Sequence, residues 1–71
     1  MSRITIRYNK IDKTTRIFID SEEQHRVLQF GVLGEPLTPV RFAIVQHLDA
    51  NSPDETTRQF EVTELTIITT E

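Results

Sequence analysis

Apolar residues fall on every second position at the start of this chain. In Arg3-Ile4-Thr5-Ile6-Arg7-Tyr8, the residues Ile4, Ile6 and Tyr8 share one face, and Arg3, Thr5 and Arg7 share the other. Period two is the spacing of a half-buried strand; a helix would scatter those side chains around its circumference. Composition points the same way, with ten Thr, eight Ile and five Val against five Leu and two Ala. Side chains branched at Cβ lose rotamer freedom in a helix and pack well on a pleated surface. The expected fold is mainly β: a small single-domain antiparallel sheet or barrel over residues 1–71, opened by an N-terminal hairpin. The alternative is an α+β fold with a helix at about 39–50 and a short one at 22–30.

The rest of the chain is read on the same basis. Asn9 to Lys13 has turn chemistry, and Thr15-Arg16-Ile17-Phe18-Ile19-Asp20 returns as the second strand of the hairpin. Phe18 shares parity with Arg16 rather than with Ile17 and Ile19, so one face of that strand is mixed. Residues 20–33 have two readings. Ser21 with Gln24 fits a capping box before a helix from Glu22 to Phe30; otherwise the acidic stretch is a loop, and Arg26–Leu33 is a strand with Leu28, Phe30 and Val32 on one face. Thr38-Pro39 is a good helix start, yet Val40, Phe42, Ile44 and Leu48 line one strand face interrupted only by Gln46. The strand reading is preferred in both places. Asp49 to Glu55 is a loop. Thr57 to Thr70 is the longest β-like run, and its parity shifts between Val62 and Leu65, which suggests a bulge at Thr63-Glu64.

Two short stretches resemble known families. Leu37–Leu48 looks like the first helix of the winged-helix DNA-binding domains of response regulators, which also place a small sheet before it. That resemblance implies a helix, but the chain leaves no room for a recognition helix after Leu48. Residues 27–36 with 39–44 are similar to the opening strands of single-stranded-DNA-binding OB-fold proteins, which implies a strand for the same residues. The two cannot both hold.

No catalytic or metal-binding pattern emerges. The chain has no cysteine, so disulfides, thiolate metal sites and cysteine nucleophiles are excluded. Ser2, Ser21 and Ser52 lie outside any nucleophile elbow. His25 and His47, with Glu22, Glu23 and Asp49 nearby, match no metal-ligand spacing. Gly31 and Gly34 do not form a phosphate cradle. The expectation is a protein that is not an enzyme and that uses no cofactor or metal.

Charge is the remaining feature. Net charge is −3, but residues 1–19 hold five cations against Asp12 alone, whereas residues 20–71 hold three against ten carboxylates. The basic hairpin, with Arg3, Arg7, Lys10, Lys13 and Arg16, is the candidate binding surface. It serves an acidic protein face, a polyanion, or the chain's own acidic strands. The strand at Thr63, Leu65, Thr66, Ile67, Ile68 and Thr69 is the candidate edge for a partner or a twin chain. The functional expectation is a cytoplasmic protein-interaction module that docks a protein partner, with a homodimer through that strand. Single-stranded nucleic-acid binding by the hairpin is the competing reading; overall acidity weighs against it. No apolar run reaches the length of a membrane span.

Overall fold

The structure is a computed structural model that describes residues 2–70. It holds six strands: β1 (Ser2–Asn9), β2 (Thr15–Ile19), β3 (Glu22–Gln24), β4 (Val27–Leu33), β5 (Arg41–His47) and β6 (Glu55–Thr70). They form one curled sheet in the order β3-β2-β1-β6-β5-β4. The mainly β fold is the one the alternation predicts. Both helical alternatives give way to strands, and with the second goes the helix that the winged-helix resemblance implies. Among the described residues, no helix is long and apolar enough to cross a membrane.

The opening hairpin pairs Ile4 with Ile19 and Ile6 with Ile17, so alternate side chains of both strands face inward. Its turn is held by Asn9, whose Oδ1 accepts from the Ile11 amide at 2.9 Å, and by Asp12, whose Oδ1 accepts from the Thr14 hydroxyl at 2.6 Å. The second turn was not legible in the sequence. Ile19 pairs with Glu22, so Asp20 and Ser21 form a two-residue connection, and both are left-handed at φ 51° and 71°. A tight hairpin turn needs that backbone at both central residues and usually recruits Asn-Gly. Here Asp20 is anchored instead: its amide donates to the Arg3 carbonyl and its Oδ1 accepts from the Arg3 amide, both at 2.9 Å. The acidic stretch read as loop or helix start is therefore a short edge strand, β3.

β6 organises the sheet. Its first half, Glu55 to Glu61, pairs antiparallel with β5. Its second half, Val62 to Thr70, pairs parallel with β1, the one parallel pairing in an otherwise antiparallel sheet. Ser2 aligns with Val62, but Arg3 aligns with Glu64, which leaves Thr63 as the extra residue of a bulge, where the parity shift put it. The Thr63 hydroxyl donates to the Ser2 carbonyl at 3.0 Å. The bulge keeps Phe60, Val62, Leu65 and Ile67 on the inner face on both sides of the bend.

The core lies inside the curl. Ile4, Ile6, Ile17 and Ile19 from one half meet Phe42 and Ile44 from the other, with Val27, Phe60 and Val62 packed around them. Tyr8 shares the inner face and is partly exposed at its rim. Gln46, which interrupts the apolar stripe of β5, is also buried. Its Nε2 donates to the His25 carbonyl at 3.0 Å and to Gln24 Oε1 at 3.3 Å, and its Oε1 accepts from Arg58. Arg58 also donates to Gln24 Oε1 at 2.9 Å. This polar seam joins β3 to β5 and β6 across the open end of the curl, and it satisfies an amide that would otherwise be costly to bury.

Candidate interaction surfaces

The basic hairpin presents its cations in two places. Arg3, Arg7 and Arg16 stand on the outer face, with Arg7 directly opposite Arg16. Lys10 and Lys13 belong to the turn beyond them, and Lys13 adopts a left-handed backbone at φ 59°. Phe18 lies on the same outer face opposite Thr5, so the mixed face of β2 is the outer one. The guanidinium carbons of Arg7 and Arg16 sit 5.8 and 5.4 Å from the centre of its ring, close enough for attraction to the π face.

Part of this charge is met by the chain itself. Arg16 makes a two-point contact with Glu23, Nε to Oε2 at 2.9 Å and Nη2 to Oε1 at 2.6 Å. Arg3 approaches Glu64 at 3.7 Å. The Arg16 hydrogen bond holds the Glu23 carboxyl below the ordinary carboxylate range. A carboxylate lowered by folding contributes stability above its unfolded pKa, and that contribution is lost as pH falls through the lowered value. Acid titration of thermal stability should therefore show a smaller loss below about pH 4 in Glu23→Gln than in the parent chain. Equal slopes would mean that the pair does not form in solution.

The second surface is backbone. Among the described residues, each half of β6 has a strand on one side only, because β5 covers residues 55–61 and β1 covers 62–70. The two neighbours lie on opposite sides: the Val62 amide donates to Val40 at the head of β5, whereas the Thr70 carbonyl accepts from Lys10 at the end of β1. Since backbone polar groups alternate sides along a strand, those of Leu65, Ile67 and Thr69 point to the uncovered side. Thr66 and Ile68 point to β1. Thr63 is the bulge residue. Leu65 and Ile67 are also 38% and 64% exposed on the inner face. No charged residue interrupts Leu65 to Thr70.

A third surface was missed in the sequence. β4 ends the sheet opposite β3, and its inner-face residues Phe30 and Val32 are 41% and 43% exposed. Phe30 reaches Phe42 with ring centroids 6.1 Å apart. Leu28, expected on the same face, is instead the extra residue where the pairing shifts between Val27 and Gln29. The signal was present, an uncharged run from Val27 to Gly34, but an interior strand shows the same pattern.

The polar seam borders a cleft of about 430 Å³ lined by Glu22, Gln24, His25, His47 and Arg58 among others. Both histidines thus reach one region, and His47 Nδ1 is buried without a hydrogen-bond partner. Among the described residues, no three His, Asp or Glu side chains converge as a metal site would require. Comparison with family models, curated proteins and solved structures found no match.

Proposed function

We propose that this chain is a non-catalytic docking module that takes an extended strand of a partner protein beside residues 64–70 of β6. The observation that carries this reading is the one-sided pairing of that segment. A strand added there would lie end to end with β5, bond the backbone of Leu65, Ile67 and Thr69, and cover Leu65 and Ile67. In strand addition, backbone bonds supply affinity and alternate side chains supply choice of partner. Natural proteins usually blunt such an edge with charge or proline, and Leu65 to Thr70 has neither. The arginines on the adjacent outer face suit a partner with acidic residues flanking its strand. A cytoplasmic partner fits a chain that draws on no disulfide.

The test is capture of partners from the native host by wild type and by Ile67→Pro, read by mass spectrometry. Proline at 67 removes a donor on the uncovered side without breaking the β1 ladder. Loss of a specific partner in Ile67→Pro, with retention in Val32→Lys, is the expected result. Unchanged capture by Ile67→Pro would overturn the assignment.

The Arg7–Phe18–Arg16 cluster supports a second reading, single-stranded nucleic-acid binding, since cations interleaved with an aromatic ring suit bases and phosphates. A salt-dependent rise in oligonucleotide anisotropy that disappears when Arg3 and Arg7 are both changed to Ala is its expected signature.

A further inference from the structure

The terminal strand β4 carries an inference separate from the β6 reading. His47 donates its amide to the Arg26 carbonyl, so the outward-facing residues of β5 bond β4. By alternation, the β5 ladder uses the backbone of Gln29, Gly31 and Leu33. The N–H and C=O of Phe30 and Val32 therefore point away from the sheet, along an edge beyond which the described residues place no strand. Leu28, Phe30, Val32 and Leu33 are all exposed. This is the long, apolar, uncharged edge that a monomeric protein avoids.

We propose that the occupant is a second copy of this chain, with the two β4 strands paired antiparallel about a two-fold axis at Gly31. Three features of the strand favour a twin over a foreign strand. In this register Phe30 of each copy bonds Val32 of the other, and the inner-face side chains of both residues join one continuous apolar surface. Gly31, which would face itself, is unexplained within one chain: its φ is not positive, and an added Cβ would meet nothing within 4 Å. A glycine in a strand interior weakens it and often marks the close approach of another backbone. Finally, the uncharged run is bracketed by Arg26 and Glu35. Antiparallel self-pairing about residue 31 sets the Arg26 end of each copy beside the Glu35 end of the other, so unlike charges meet at both ends of the seam. A two-fold contact of this kind closes on itself and yields a dimer rather than a fibre.

The experiment combines sedimentation mass with amide hydrogen exchange on the full chain at tens of micromolar. The expected result is twice the chain mass of 8.3 kDa, with the Phe30 and Val32 amides protected. Val32→Pro, which removes a donor that no strand of the same chain uses, should halve the mass while leaving the circular dichroism of the sheet unchanged. Val32→Lys should do the same, and it keeps the proposal testable if proline disturbs the edge. A single-chain mass for the wild type overturns the proposal and leaves the β6 reading standing. A dimer in which Leu65, Ile67 and Thr69 are protected but Phe30 and Val32 exchange freely also overturns it, and moves the seam to β6. A mass that grows without limit as concentration rises overturns the closed two-fold contact.

Discussion

Deleting Thr63 should leave the chain able to fold cooperatively, with a straighter β6. Thr63 is one residue more than the alternation from Phe60 to Ile67 needs, and the bulge absorbs it so that Phe60 and Val62 face the same interior as Leu65 and Ile67. Without it, the period-two alternation would run unbroken through β6. Phe60, Val62, Leu65 and Ile67 would then fall on one face with no bulge, and the pairings with β5 and β1 would both keep their register. Because β6 is the only strand among the described residues that pairs with both halves of the sheet, any loss of register in it would give up the core between them. The control is Thr63→Ala, which keeps the residue and loses only the hydroxyl bond to Ser2, at a cost of about 1 kcal/mol. Circular dichroism melts should show a sharp transition for both variants. Loss of the cooperative melt in the deletion alone would show that the bend at this residue is itself required for the two halves to pack.

A large effect is expected in the core. Phe42 is fully buried, and Ile4 is 1% exposed; they come from opposite halves of the curl. Phe42→Ala should cost about 3–5 kcal/mol and Ile4→Ala about 2–5 kcal/mol. Ordinary domains have only about 5–15 kcal/mol in total, and a chain of this size has a thin core. Either substitution should therefore leave a large fraction unfolded. Ile6→Ala and Ile17→Ala, a facing pair in the hairpin, belong to the same range. Urea titration gives the numbers, and losses below about 1 kcal/mol for all four would mean that the two halves do not pack on each other.

Much of this architecture was legible because each local pattern has one physical cause. Ile4, Ile6, Ile17 and Ile19 alternate because their strands bury one face, and the parity shift at Thr63 has no other economical explanation than an extra residue. Residues 39–48 were harder because Gln46 breaks the stripe. It is nonetheless an inward residue of β5, since Gln24 and the His25 carbonyl satisfy its amide. β3 was missed because its inward residues, Glu22 and Gln24, lie at the polar seam rather than in the apolar core, and because Asp20-Ser21 is an unusual pair for a two-residue turn. The candidate surfaces follow the same division. The length and composition of β6 pointed to an open edge, and the structure gives the side on which it is open. The edge of β4 could not be read locally, because whether an apolar strand has one neighbour or two depends on the order in which distant segments assemble.

The parallel pairing of β1 with β6 has a consequence for how the chain acquires its structure. Ile4 aligns with Leu65 and Ile6 with Ile67, so the two strands at the middle of the sheet are the most widely separated in sequence. Bringing such remote segments together carries a large loop-closure entropy before any contact repays it. On the ribosome, the β1–β2 hairpin can form early, yet one side of β1 must stay solvated until β6 has emerged. Synthesis, rather than local propensity, then decides when the sheet can close, and an interrupted chain would expose its central strand to its neighbours.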